Sequence, residues 1–262
     1  MATKYVPLIN DTVIDRIKSL TVEKNLTQYS GKFNMVVSDP SNTVYDSVTS
    51  GDEIKVISRL SQGLSAYYKL DETWGDLALD ATSNYNDGTI VNGTKTSVKY
   101  SSGLAFTGTG YVSIANPITD WSEWAVSLWA SLDDVTAEET SVNQTFINLY
   151  EDASNGLSIQ NNNGKLLVLI NEAGTEYSVI SDGVVLVDDT LANILVTYES
   201  NTPLVYIDGV LVPTSTTTGS VSTDTLISAY STTTGRMTGK IDNIRIYERF
   251  VYAGEALNIY DW

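Results

Sequence analysis

Residues 204–212 read Leu204-Val205-Tyr206-Ile207-Asp208-Gly209-Val210-Leu211-Val212, two β-rich runs joined by Asp-Gly. Asp tolerates the left-handed backbone conformation and Gly adopts it freely, so the pair closes a two-residue turn between antiparallel strands. Asn162-Asn163-Gly164 carries the same signal upstream. Working outward from these turns, strands are expected at 64–70, 104–106, 111–114, 125–130, 145–150, 156–160, 165–171, 176–181, 193–199, 203–207, 225–228 and 239–249. Short runs separated by Gly, Asn and Asp, with no helical period over a comparable length, imply an all-β sandwich.

The chain has 262 residues, 42% of them hydrophobic, with 16 Tyr and 5 Trp, enough apolar area for a packed core. Residues 1–60 carry seven acidic and seven basic side chains, so 61–262 hold the whole net charge of −17. A field of that sign repels phosphate backbones and anionic lipid, and predicts neither nucleic acid nor membrane as partner. Cysteine and histidine are absent, which removes disulfides, thiolate chemistry and the commonest general base. The first ten residues have no apolar core of a secretory leader, so folding in a reducing cytosol, or export by a route the sequence does not encode, is expected. The Asn-X-Thr triplets at Asn10, Asn25, Asn92 and Asn143 read as loop composition.

Charge balance, tryptophan content and strand rhythm all change near residues 58–63, which places a boundary between a segment 1–60 and a body 61–262. Within the segment, Val13, Ile14, Ile17 and Leu20 fall on one helical stripe, so a helix is expected over 11–20, followed by β-like runs at 32–37 and 44–57. A segment this poor in aromatics either orders against a partner or copies of itself, or packs on the body as a small extension.

In order along the body come GLSAYYKLDE at 63–72, DATSNYNDGT at 80–89, GLAFTGTGYV at 103–112, VSLWA at 126–130, ILVTY at 194–198 with VYIDG at 205–209, and GKIDNIRIY at 239–247. Together they resemble the concanavalin-A-like lectin and glucanase superfamily in its laminin-G-like branch, found in many bacterial and phage proteins. The resemblance implies a two-sheet antiparallel jelly-roll sandwich over 61–262, with residues 1–60 outside it as a short N-terminal anchoring segment. Ile241, Ile244 and Ile246 with Tyr247 make an alternating closing strand, expected beside the opening one, where Asp242 and Asn243 would meet Asp71 and Glu72. Residues 255–260 could add a helical turn.

Glycosidases of this family set carboxylates on one strand as Glu-X-Asp-X-X-Glu, and no stretch here matches, so no catalytic residue is expected. Asp80, Asn84, Asn86 and Asp87 offer oxygens in one loop, with Asp71, Glu72 or Asp242 near enough in this fold to complete a structural calcium site of the kind the resemblance implies. The alternative is a loop whose Asx turns bind nothing. For a glycan, Trp74, Tyr85, Trp121 and Tyr150 with Asp152 and Asn155 are the candidate contacts, weighed against plain core roles for the tryptophans. The family context implies a virion structural protein assembled in the host cytoplasm: a capsid decoration, head-fibre or tail-fibre component. Residues 1–60 would dock on other virion proteins or trimerise. The other reading is a carbohydrate-binding module of a bacterial surface or extracellular protein.

Overall fold

The computed structural model describes five strands among residues 1–61 by their backbone, and residues 62–261 apart from 73, 74, 101, 137–142 and 230. The chain divides into two units, Met1–Gln62 and Gly63–Trp262.

In the first unit, β1 (Val6–Ile9) pairs antiparallel with β2 (Thr12–Val13) and β5 (Ile54–Ile57), and β3 (Ile17–Lys24) pairs antiparallel with β4 (Gly31–Val37). The helix expected over 11–20 is therefore not formed: Thr12–Val13 and Ile17–Lys24 are strand. Thr12, Val13, Ile14, Ile17, Thr21 and Val22 are β-branched and stiff at χ1, and that preference prevails over a four-residue apolar stripe.

The second unit opens with β6 (Leu64–Tyr68), β7 (Leu77–Ala78), β8 (Gly88–Val91), β9 (Thr94–Ser97), β10 (Ser102–Thr107) and β11 (Tyr111–Ser113). The long strands β12 (Glu123–Leu132), β13 (Gln144–Asp152), β14 (Asn155–Asn162) and β15 (Lys165–Glu172) follow, then β16 (Thr175–Glu176) and β17 (Val179–Ser181). It closes with β18 (Ala192–Glu199), β19 (Thr202–Ile207), β20 (Val210–Val212), β21 (Thr214–Thr216), β22 (Leu226–Ile227), β23 (Thr238–Tyr247) and one helix, α1 (Ala253–Asp261). Every described pairing is antiparallel. One sheet runs β20-β19-β18-β12-β23-β10-β9 and has β6 on β23; the other runs β21-β17-β15-β14-β13-β22-β11-β8-β7 and has β16 on β15.

The two expected hairpin turns form as read. Asp208 and Gly209 sit at φ of 51° and 77°, and Asn163 and Gly164 at 52° and 79°, the left-handed pair that matches the twist of the flanking strands. Opening and closing strands also lie side by side, with Tyr68 opposite Ile244 and Ala66 opposite Ile246. The polar pair in the closing strand does not meet Asp71 and Glu72. Asn243 instead accepts from the Tyr67 hydroxyl at 2.6 Å, while the Asp242 carboxylate takes the backbone N–H groups of Lys99 and Tyr100 at 3.1 and 3.3 Å. Glu72 pairs with Lys95 at 3.1 Å.

Between the sheets the alternate residues of each strand make one core: Val126 and Leu128 with Ile194 and Val196 on one side, Leu157 and Ile159 with Leu166 and Val168 on the other. Trp124 stacks on Tyr198 within it, centroids 5.3 Å apart. Full burial of such side chains removes each from water at about 1.5–3 kcal/mol, which is the main reason these strands stay paired.

The outer face of the β12-containing sheet is closed by the C-terminal helix. In α1, Ala256 and Ile259 are fully buried, Tyr260 packs on Trp129 with centroids 5.3 Å apart, and just before the helix the Val251 N–H reaches Thr197 Oγ1 at 2.8 Å. Arg249 holds Glu255 with two parallel contacts at 3.0 and 3.1 Å, and Lys99 Nζ lies 3.9 Å from the centre of the Trp129 ring. Paired, planar contacts of this type fix a helix in place more firmly than a single ion pair does.

Candidate functional site

The outer face of the other sheet is only partly covered. Cross-strand partners share a face, so Thr145, Gln160, Leu167, Ile180 and Ser215 form one outward row, and Asn148, Ser158 and Leu169 a second. Segment 217–224, leaving β21 and returning to β22, crosses above them as a strap. Its anchors are the Thr217 N–H on the Ser178 carbonyl, the Gly219 N–H on Glu176 Oε1, and the Asn148 amide, which donates to the Ser222 and Asp224 carbonyls and accepts from the Ser222 N–H. At the crossing the backbone comes so close that a Cβ on Gly219 would lie 2.6 Å from Leu169 Cδ2, so any larger residue there makes the end of the Leu169 side chain shift.

Beside the strap the face opens into a trough of about 350 Å³, at the small end of the roughly 300–1,000 Å³ typical of small-molecule sites. Asn143, Gln160 and Asn162 supply amides on the β13–β14 side, Leu167, Leu169 and Ile180 make an aliphatic floor on β15 and β17, and strap residues 217–220 form the wall. None of these lining residues is charged and none is aromatic. Gln160 is held at both ends, its Oε1 accepting from Asn143 Nδ2 at 3.2 Å and its Nε2 donating to Ser158 Oγ at 2.9 Å. A fixed amide beside aliphatic surface suits a neutral polar ligand, since each buried hydroxyl needs a partner and each methyl does not.

A family profile described as the concanavalin A-like lectin/glucanases superfamily, of laminin-G type, matches residues 106–255. The chain belongs to that superfamily. Among solved structures, domain 4 of AbnA, a GH43 extracellular arabinanase from Geobacillus stearothermophilus in complex with arabinotriose, is similar with a TM-score of 0.58 at 17% identity, covering 75% of this chain and 98% of that domain. The botulinum neurotoxin serotype D binding domain gives 0.56 at 14% identity over 76% of this chain and 50% of its own. The binding domain of Paraclostridial Mosquitocidal Protein 1 gives 0.57 at 13% identity over 77% of this chain and 52% of its own. This laminin-G-type chain thus spans about half the length of the toxin binding domains, and at such identities the likeness is one of fold. No curated protein sequence matches it.

The loop read as a calcium site does come together in this superfamily member, around Asp80. One oxygen of its carboxylate accepts the N–H groups of Tyr67 and Thr82, both at 2.9 Å, and the other accepts the Thr82 hydroxyl at 2.8 Å and the Asn86 N–H at 3.0 Å. Burial works to raise the Asp80 carboxyl, but these four donors outweigh it and hold it below the ordinary carboxylate range. Asp87 accepts from the Asp80 N–H, and Asn84 and Asn86 turn their amide nitrogens to the Ser65 carbonyl. As arranged, the cluster does not fit a cation: its carboxylate faces donors and its amides present nitrogen. Among the described residues no group of three or more acidic side chains could hold a metal. Asp242 is bound elsewhere, under Lys99 and Tyr100, where burial pushes its carboxyl up against the pull of those two N–H groups.

The expected glycan contacts do not form one site. Trp121 is 5% exposed and belongs to the core, which offers no ring face to a sugar, because the strand entering at Glu123 draws it inward. Tyr85 stands 79% exposed on the 80–89 loop, and Trp74 lies outside the described residues. Tyr150, Asp152 and Asn155 do gather at the β13–β14 hairpin, but two of them organise the turn: Asp152 accepts from the Ser154 and Asn155 N–H groups and Asn155 from the Ala173 N–H. Two signals pointed to the trough instead. The strand Gly156-Leu157-Ser158-Ile159-Gln160 alternates polar side chains outward, and Leu166-Leu167-Val168-Leu169-Ile170 is apolar on both faces, so its outer face also has something to bury.

Proposed function

We propose that this chain is a non-enzymatic display protein whose laminin-G-type sandwich binds a neutral saccharide in the trough beneath strap 217–224, and that it is a structural component of a virion. The observation that carries the binding reading is the lining itself: three amides and three aliphatic side chains on a sheet face that the strap covers only in part. Glycoside hydrolysis requires an acid and a base or nucleophile, both carboxylates, and no lining residue carries one. The strongly acidic body favours uncharged ligands over anionic ones. The virion role draws support from the charge layout, with a neutral segment 1–60 suited to docking on other virion proteins, or to trimerising, and an acidic body 61–262 suited to facing solvent.

The test is a glycan array probed with the full chain and with Gln160→Leu. Saccharide binding lost in the variant, with its melting temperature held, supports the site; silence of both on every glycan overturns it. Antibody-gold labelling of purified particles tests the virion role, and particles bare of label would overturn that part. The arabinanase domain, matched over 98% of its length, favours a second reading as a carbohydrate-binding module of a bacterial surface or extracellular protein.

A further inference from the structure

The trough is not uniform along its length, and the asymmetry constrains the ligand. Its floor crosses three neighbouring strands in the order β14, β15, β17, at about 4.8 Å per strand, with Asn143 just ahead of β13 at one end. All three amides stand at the β13–β14 end and all three aliphatic side chains at the β15–β17 end. Leu167 and Leu169 are nearly fully buried although they point away from the core, and Gly219 presses on Leu169. Their surface would hold no hydrogen bond from a sugar hydroxyl, which would lose its water without replacement. A plain polyhydroxyl chain therefore suits only half of the site, and the lining provides no aromatic ring to take the flat face of a sugar over the other half.

Resting on the saccharide reading above, we propose that the trough selects a neutral saccharide bearing a methyl or acyl group, that is, a deoxy or N-acyl unit. Sugar hydroxyls or an amide face Asn143, Gln160 and Asn162, and the methyl lies over Leu167, Leu169 and Ile180. The acyl or deoxy group contributes what a hydroxyl at that place would cost, and the uncharged lining gives an anionic unit no counter-charge.

Matched pairs titrated calorimetrically into the full chain test this. N,N′,N″-Triacetylchitotriose and cellotriose differ by an acetamido group in place of the C2 hydroxyl of each unit, and methyl L-rhamnoside and methyl L-mannoside by a methyl in place of a hydroxymethyl. The acetamido or deoxy member of at least one pair is expected to bind roughly tenfold or more tightly than its partner, as one apolar group in a fitted pocket does. Ile180→Thr, at a partly buried position and keeping the β-branch, should shrink that ratio while Gln160→Leu removes binding of both members. Equal binding within both pairs, or preference for the hydroxyl member, overturns the selectivity and leaves saccharide binding standing. If neither pair binds while a glycan array responds only to unsubstituted saccharides, the selectivity also falls. An array silent throughout sinks the saccharide reading, and this inference with it.

Discussion

The two outer faces of the sandwich start from similar sequence and end differently. Both carry large side chains that point away from the core: Trp129, Leu195 and Tyr206 on one sheet, Leu167, Leu169 and Ile180 on the other. On the first, α1 brings Ala256, Ile259 and Tyr260 down onto them and the surface is closed. On the second, the cover is strap 217–224, which has no regular structure and contributes Thr, Gly and Ser where the helix contributes aliphatic and aromatic groups. A helix can lay a whole apolar stripe on a sheet; a strap one residue wide covers a line and leaves a trough along its side. Closure therefore reads as stability, and the proposed ligand site lies where closure is incomplete.

Truncating Trp129 to Ala should show the largest contrast, a loss of about 3–5 kcal/mol seen as a melting point lower by several degrees in calorimetry. Ile180→Ala on the strap-covered sheet should cost less, about 1–2 kcal/mol, since that side chain is only partly buried. Equal losses at the two sites would mean that the faces are equally closed. Gln160→Leu comes next and separates function from fold: at least roughly tenfold weaker saccharide binding, about 1.4 kcal/mol, with a melting point shifted by no more than a few degrees.

Gly219→Ala sharpens the comparison by touching the strap alone. The new methyl meets only the end of Leu169, a flexible side chain, so the strap yields slightly and stability falls by about 1 kcal/mol, while saccharide affinity changes because the wall has moved. Hydrogen exchange of the Gly219 amide, now held by Glu176, should speed up.

The smallest effect belongs to Asp242 on the helix-covered sheet. Burial raises its folded-state carboxyl pKa, so the fold binds its proton more tightly than the unfolded chain does, and this contribution is greatest below the unfolded value of about 3.9 and is lost as pH rises through the folded one. Asp242→Asn keeps an acceptor for Lys99 and Tyr100, should lie within about 1 kcal/mol of the parent, and should gain on it as pH rises. Asp80 has the opposite sign: its lowered carboxyl stabilises above about pH 3.9 and that support is lost as pH falls through its folded value. Denaturant melts from pH 3 to 8 check both slopes.

The sandwich itself was legible because alternation and turn chemistry act locally. Asp208-Gly209 and Asn163-Gly164 dictate their turns whatever surrounds them, and the strands they join follow. The strands Thr94–Ser97 and Thr214–Thr216 escaped notice because Thr-rich edge strands resemble loops, and Gly88–Val91 because it follows directly on an Asn- and Asp-rich loop. The site was harder. Tyr85, Trp121 and Tyr150 drew attention as aromatics, yet which side of a strand faces out depends on register with distant partners, and Gln160 becomes a site residue only once Thr145 and Leu167 flank it. Asp80, Asn84, Asn86 and Asp87 share one loop by their spacing alone, but sequence does not say whether the Asp80 oxygens meet a cation or N–H groups.

The pairing of β6 with β23 sets entrance and exit of the sandwich along a single seam, since the chain comes in at Leu64 opposite the place where it departs at Tyr247. A body threaded this way can be spliced into a loop of an unrelated host without prying that host apart, and its own ends could be joined and new ones cut at the Asp208-Gly209 tip with the hydrogen-bond ladder preserved. Such a layout makes the fold a cassette.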